Sequence, residues 1–389
     1  MRVFIFILLF GVTAICHAIP DGWTPNPAIV EKLASTPLNS ITPSLFEEID
    51  PEERIHYSLI LSSLSLARSN DLEKAERFAA IATEEGYAKE PIHQIQLHAL
   101  EMTLGDYRSD TEKTASHGFK AIELFDKAEN IPVDLQKHVL DSLVAACFRL
   151  GRYDAVYDVA SRAQKIANES NLPEMEAMAF ADMAQARYKQ GNSKESDASA
   201  KKALEIFERI GDNSGIGDSK KVLGNSAWLR DEAEVSLEYY TDAITHYEAA
   251  GNSHGIANCC YNSALVFMQL KKHQEARVLL EKASKHFINS GSLGGVGMVK
   301  MYLAISYWEL DEIELAEATF NEARNYLVEA GSFGRLAELE EHVGDMLVSI
   351  GRRKEAKEAY LKSMEIFEKT GDDRANGLKG KIDQLDSKV

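Results

Sequence analysis

The chain has 389 residues, of which 45% are hydrophobic, 27% are charged and only nine are proline, and this composition is typical of a folded helical protein. It argues against a barrel, a sandwich or a disordered chain. The formal net charge of −18 would repel phosphate backbones and anionic lipid surfaces, so we expect no nucleic-acid partner.

The first 18 residues predict a secretory signal peptide. They read MRVFIFILLFGVTAICHA, with a single positive charge at Arg2 and an apolar run over residues 3–12. No later stretch reaches about 18 apolar residues, so we expect no membrane anchor after cleavage. A lipoprotein signal with a lipidated Cys16 is the alternative, and Ile15 argues against it because that processing site usually has a small residue there. The sequence therefore predicts a periplasmic or secreted protein.

Cysteine usage predicts no disulfide framework, although an exported protein meets an oxidising compartment. Three cysteines remain after cleavage, namely Cys147, Cys259 and Cys260. The vicinal pair would form only a strained bridge, so we expect buried thiols. Stability must then come from packing.

The segment before residue 131 has two parts. Residues 19–50 contain five prolines and resemble a linker or an irregular N-terminal segment. Residues 51–130 are predicted to form two degenerate helix pairs, the second with its turn at Gly105. The first of these pairs is marked by Ser63, Ala75, Ala79 and Ala82.

Residues 131–370 contain six consecutive units of 40 residues. Five glycines stand at this spacing without a slip, and polar, turn-like residues follow each of them. Such glycines are typical of helix C-termini. The five are Gly211, Gly251, Gly291, Gly331 and Gly371.

Four further columns of residues keep their character at the same spacing. The first contains small side chains and reads Val144, Ala184, Gly224, Ala264, Ala304 and Gly344. The second begins twelve residues later and reads Val156, Ser196, Ser236, Ala276, Ala316 and Ala356. The third reads Ala163, Ala203, Ala243, Ala283, Ala323 and Ser363. The fourth is larger and reads Ala160, Ala200, Tyr240, Leu280, Phe320 and Tyr360. Spacings of three and four between the later columns predict one face of a helix, where small residues allow close approach.

These columns resemble the tetratricopeptide repeat. The small residue, two alanines and one bulky residue of that family correspond here to Ala264, Ala276, Ala283 and Leu280 in the clearest unit. The 40-residue length is similar to the long-repeat subfamily. The chain departs from the family at repeat position 4, which lacks tryptophan and is occupied three times by a charged residue, namely Lys220, Lys300 and Glu340.

The resemblance implies an all-α fold, a right-handed α-solenoid of stacked antiparallel helix pairs. Residues 371–389 are polar and lysine-rich, as expected of a C-terminal capping helix with one side in water. In the family, the first helix of each pair lines a concave groove. The residues at the corresponding positions are Lys221, Asn225, Trp228, Asn258, Tyr261, Asn262, Leu265, Met268, Met298, Tyr302, Ile305 and Trp308.

This set of residues suits a peptide ligand. Its aromatic rings can anchor a partner at low entropic cost, and its asparagines offer donors and acceptors for an extended main chain. The next repeat carries Glu338, Glu341 and Asp345 in the same columns. We therefore expect a groove that becomes acidic at one end and favours a basic part of the ligand.

No catalytic constellation is found in the sequence. Residues 251–255 match the G-x-S-x-G pattern of hydrolases, but they lie between two helical units and not between a strand and a helix. The eleven histidines include no pair with the spacing and adjacent glutamate of a helical zinc site. We expect no enzyme activity, no cofactor and no bound metal.

The sequence thus predicts an exported scaffold that binds a peptide or partner protein in its concave groove. The alternative is a sensory or regulatory receptor. Such a receptor would change the shape of its superhelix on binding a signal peptide and act through a separate effector.

Overall fold

The computed structural model describes residue 49 and residues 53–69, 71–84 and 88–386. The predicted signal peptide, the alternative role of Cys16 and almost all of the predicted segment 19–50 lie outside the described residues. No helix in the described ranges is long and apolar enough to cross a membrane.

The described part of the chain forms seventeen α-helices and no strand. The chain divides into two compact units, Met1–Gln190 and Gly191–Val389. The first unit contains α1 Arg54–Ser69, α2 Leu72–Glu84, α3 Pro91–Tyr107, α4 Thr111–Leu124, α5 Val133–Arg149, α6 Tyr153–Glu169 and α7 Pro173–Lys189. The second contains α8 Ser193–Ile210, α9 Asn213–Leu229, α10 Ala233–Ala250, α11 Ser253–Gln269, α12 His273–Asn289, α13 Leu293–Glu309, α14 Ile313–Glu329, α15 Phe333–Ser349, α16 Arg353–Thr370 and α17 Ala375–Asp386.

Within each unit, every helix packs against the next helix along the chain. All members of the four repeating columns are buried, which places the small side chains where helices approach each other. The prediction of an all-α fold built from adjacent helix pairs is therefore confirmed.

Within a helix pair, a small residue in the first column leaves room for a large side chain in the fourth column. Gly224 on α9 faces Tyr240 on α10, and a Cβ at this glycine would lie 2.7 Å from the tyrosine ring. Gly344 on α15 faces Tyr360 on α16 in the same way. Where the first helix carries alanine in this column, the fourth-column residue is not tyrosine. In the unit of Ala264, for example, it is Leu280. Glycine is present at these two positions because a tyrosine ring fills the space.

The repeating glycines end helices, as the sequence predicts. Gly211, Gly251 and Gly371 are left-handed C-caps with φ of 76°, 68° and 70°. Gly291 and Gly331 have φ of 70° and 63°. At Gly251, the next helix starts at once, because the Asn252 side chain accepts a 2.8 Å hydrogen bond from the Gly255 N–H.

Replacing Gly251 with alanine is expected to lower the free energy of unfolding by about 1–2 kcal/mol. Nothing lies within 4 Å of the added Cβ, so the cost comes from its positive φ alone. Gly334→Ala is the matched control, because that site is equally open and lies inside α15. The control should leave stability unchanged or raise it by about 0.5–1 kcal/mol. Urea unfolding followed by circular dichroism measures both, and equal effects would contradict the argument.

The charged residues at repeat position 4 are each paired with a second helix. Lys220 binds Asp242 at 3.2 Å. Lys300 binds Glu322 at the corresponding positions two repeats later. Glu340 is instead buried and binds Arg324 on the preceding second helix. Each of the three charged residues is therefore neutralised by a residue of a second helix.

Candidate functional site

The predicted ligand-binding residues all lie in the second unit, on the first helices α9, α11 and α13. We call the side of α9, α11, α13 and α15 that carries these positions the first-helix face. Asn225 and Ile305 are buried, at 8% and 9% exposure. The others are half-buried, namely Lys221, Trp228, Asn258, Tyr261, Asn262, Leu265, Met268, Met298, Tyr302 and Trp308.

The asparagines of this face form a network and do not act singly. The Asn225 Oδ1 accepts hydrogen bonds from the Tyr240 hydroxyl at 2.7 Å and from the Asn262 Nδ2 at 2.9 Å. These bonds link α9 to α10 and α11 and fix the orientation of Asn262. Among the described residues, nothing forms a hydrogen bond with the Asn258 side chain, so its amide is available to a ligand.

The two tryptophans use their polar ends between neighbouring repeats. The Trp228 Nε1 donates to the Gln269 Oε1 at 2.6 Å, and the Trp308 Nε1 donates to the Ser349 Oγ at 3.1 Å. Both partners lie 41 residues further along the chain, at the end of the next first helix. These hydrogen bonds therefore hold the indole rings in place.

Tyr261 on α11 and Tyr302 on α13 form an aromatic pair in the middle of the face. Their ring centroids lie 5.4 Å apart in an edge-on arrangement. Burial raises the pKa of the Tyr261 hydroxyl, and the neighbouring Tyr302 raises it further. Both rings are only half-buried, which leaves part of this apolar surface open.

Lys221 lies at one end of the face and is neutralised locally. Its Nζ binds the Asp218 carboxylate at 2.6 Å. The same carboxylate oxygen accepts a 2.7 Å hydrogen bond from the Tyr247 hydroxyl, whose pKa is raised by burial and by Asp218.

The acidic end expected from the sequence is neutralised by the chain itself. Lys381 on α17 binds Glu341 at 2.8 Å and Asp345 at 2.7 Å. Glu338 binds Arg335 at 2.7 Å and Arg374 at 2.6 Å. Burial alone would raise the pKa of Glu338, but the bonds from these two arginines hold it below its usual value. Arg335, Arg374 and Lys381 thus supply three positive charges against the three carboxylates, so the acidity that was expected to favour a basic ligand end is balanced within the chain.

The G-x-S-x-G match lies at the start of a helix. Ser253 of the G-x-S-x-G match is the first residue of α11. No group of three or more His, Cys, Asp or Glu side chains in the described ranges is arranged to hold a metal ion. Cys147, Cys259 and Cys260 are buried free thiols.

The three buried thiols are expected to resist modification in the folded chain. Burial raises the pKa of Cys259 to about 12 and that of Cys260 to about 11, and it also raises the pKa of Cys147. Because the thiolate is the reactive form, Ellman's reagent at pH ~8 should label none of them quickly. In guanidinium chloride all three should react within minutes. Rapid labelling of Cys259 in the native chain would contradict this assignment.

The comparisons with known proteins agree with this architecture. Residues 257–285 match the family model described as tetratricopeptide repeat. These residues cover most of α11 and most of α12, which form the unit with the clearest sequence pattern. No curated protein has a significant sequence match to the chain.

Several solved structures share the fold. The apo form of RapI has a TM-score of 0.55 and 15% identity over 71% of this chain and 99% of that one. A Rap protein complexed with Competence and Sporulation Factor has a TM-score of 0.54 and 13% identity over 86% and 98% of the two chains. The Rap conjugation gene regulator of the plasmid pLS20, in complex with the Phr* peptide, has a TM-score of 0.53 and 13% identity over 94% and 97%. At these identities the similarity shows the fold alone, which is that of a tetratricopeptide-repeat protein.

The sequence identifies the helices of the first-helix face but not several residues that form hydrogen bonds with it. Gln269, Ser349 and Tyr240 hold predicted ligand-binding residues in place, and none was predicted to do so. The repeat spacing itself contains the signal for the first two, since each lies one residue beyond one full repeat from a tryptophan.

Proposed function

We propose that the chain is an exported, non-catalytic scaffold of long, 40-residue tetratricopeptide repeats that binds a peptide or the tail of a partner protein. The binding surface is the first-helix face of the second unit. The Tyr261–Tyr302 pair, with Asn258 one helical turn before Tyr261 on α11, is the observation that carries this proposal. The Phr* peptide bound by one protein of the same fold supports it.

The face combines an apolar anchor site with polar groups for a main chain. The half-buried rings of Tyr261 and Tyr302 bury a ligand side chain, and the neighbouring Leu265 and Met298 add apolar surface. Asn258 and the remaining acceptor of Asn262 bind peptide N–H and C=O groups. Because Asn225 already orients Asn262, little side-chain entropy is lost on binding.

Capture of partners by the mature chain tests this assignment. The unmodified chain is compared with a Tyr302→Ala and Asn258→Ala double variant, using the envelope and secreted fractions of its own cells. The control carries Val278→Ala and Leu315→Ala, which remove exposed apolar side chains from second helices. We expect the control to keep the captured peptide or protein and the double variant to lose at least about tenfold in affinity. Equal binding by all three chains would show that the face is not the ligand site.

Export is part of the proposal and rests on the apolar run and small residues that end at Ala18. N-terminal sequencing of the protein from the envelope or medium should begin at or near residue 19. A protein that retains its first residues in the cytoplasm would contradict export and leave the binding proposal intact.

The alternative is a sensory or regulatory receptor that changes shape when it binds a signal peptide. The conjugation gene regulator of the same fold, which binds the Phr* peptide, favours this second function. Small-angle scattering with and without a captured peptide separates the two. A changed radius of gyration supports the receptor, and an unchanged one supports the scaffold.

A further inference from the structure

Helices α1 and α3 of the first unit meet at a cluster of polar side chains. His56 lies on α1, and His93 and Gln96 lie on α3. His56 is 6% exposed, Gln96 is 2% exposed and His93 is half-buried. The two imidazole rings stand edge-on with centroids 5.1 Å apart. Because His93 and Gln96 are three residues apart, they share one face of α3.

Three polar atoms of α3 in this cluster have no hydrogen-bond partner among the described residues. Neither the Nε2 nor the Oε1 of Gln96 forms a hydrogen bond in the described structure, and the same is true of the His93 Nδ1. A buried polar atom without a partner costs about 1–3 kcal/mol, and native proteins seldom leave several of them side by side. The two possible acceptors among these atoms, the Gln96 Oε1 and the His93 Nδ1, therefore point to a bound species that contacts them.

The chemistry of the side chains selects among the candidates. Two imidazole nitrogens and an amide oxygen are neutral ligands, and imidazole prefers zinc, copper and nickel. Calcium and magnesium prefer oxygen ligands, above all carboxylates, and none of these three side chains is a carboxylate. We propose that His56, His93 and Gln96 form a site for a divalent transition-metal ion of the zinc class.

The protonation state of the cluster suits this role. Burial lowers the pKa of His56 to about 4, and it also lowers the pKa of His93, so both rings are neutral near pH 7. A metal ion then displaces no proton from the acceptor nitrogens. The third ligand is the Gln96 oxygen.

A second histidine pair in the same unit provides a matched control. His98 on α3 and His117 on α4 have ring centroids 5.2 Å apart, almost the same as His56 and His93. Their Nδ1 atoms are 3.1 Å apart and form a hydrogen bond with each other. This pair is satisfied internally and needs no ion.

Zinc titration of the mature chain after EDTA treatment and dialysis tests the site. We expect one zinc ion per chain by equilibrium dialysis and a rise in Tm of about 5 °C at a hundredfold excess over Kd. Magnesium should have no effect. His93→Ala and Gln96→Leu should weaken zinc binding at least about tenfold, and His117→Ala should leave it unchanged.

The leucine variant separates loss of binding from loss of folding. Gln96→Leu removes the unpaired amide, so the metal-free variant should keep or raise the Tm of the metal-free parent. The proposal is overturned if zinc does not shift the Tm of the parent, or if binding survives in both α3 variants. It is equally overturned if His117→Ala abolishes binding. A Gln96→Leu variant with a higher Tm, together with a parent that ignores zinc, would assign the cluster to a buried water.

Discussion

Tyr247→Ala is expected to reduce the free energy of unfolding of the second unit by about 3–5 kcal/mol. The ring has 0% exposure and lies between α9 and α11. It occupies the space beside Gly217 and Gly255, where a Cβ would lie 2.8 Å and 2.5 Å from its atoms. Neither glycine can fill the cavity, because neither has a side chain, so the loss of packing is not compensated by its neighbours.

Tyr247→Phe is the control for this substitution, since it keeps the ring and removes the hydroxyl. The hydroxyl donates to Asp218, which retains its ion pair with Lys221, so the expected cost is only about 0.5–1.5 kcal/mol. Urea unfolding of both variants, followed by circular dichroism, gives the two free energies. A loss below about 1 kcal/mol for the alanine variant would show that the ring does not hold these repeats together.

Arg324→Met is expected to cost about 3 kcal/mol, the second large effect. The Arg324 guanidinium binds both carboxylate oxygens of Glu340, one of them at 3.2 Å. Glu340 is 4% exposed, so the methionine variant leaves a buried carboxylate without a counter-charge. The same loss should be visible as a lower Tm in thermal unfolding followed by circular dichroism.

Two controls separate the buried charge from a general loss of ion pairs. The double variant Arg324→Met and Glu340→Leu should recover most of the stability, because no charge remains buried. Lys300→Met breaks the ion pair at the same repeat position one unit earlier, where Glu322 is 58% exposed, and should cost at most about 1 kcal/mol. Equal losses for Lys300→Met and Arg324→Met would contradict the importance of burial.

The sequence predicts where the first-helix face lies but not which hydrogen bonds its side chains form. The repeat spacing places Lys221, Asn258 and Tyr302 on first helices, because each column recurs at the same point of a helix pair. The spacing does not say that Asn225 is committed to Tyr240 and Asn262. Such hydrogen bonds depend on side-chain directions in three helices, which the repeat pattern does not encode.

The sequence by itself determined the repeated helices, their glycine-marked ends and the buried columns. It misplaced the turn of the second N-terminal pair, because Gly105 lies inside α3, which continues to Tyr107. Periodic small residues and glycines act locally, through helix packing and through the positive φ that a C-cap such as Gly251 requires. These constraints hold whatever lies further along the chain.

Only the tertiary structure decided which charges are neutralised and which polar groups stay unpaired. Lys381 neutralises Glu341 and Asp345 because α17 packs against α16 and brings this lysine next to α15. His93 meets His56 because α1 and α3 pack together, although the two residues lie 37 positions apart in sequence. Electrostatic and hydrogen-bond energies depend on distance in space, so no pattern within one repeat could reveal either arrangement.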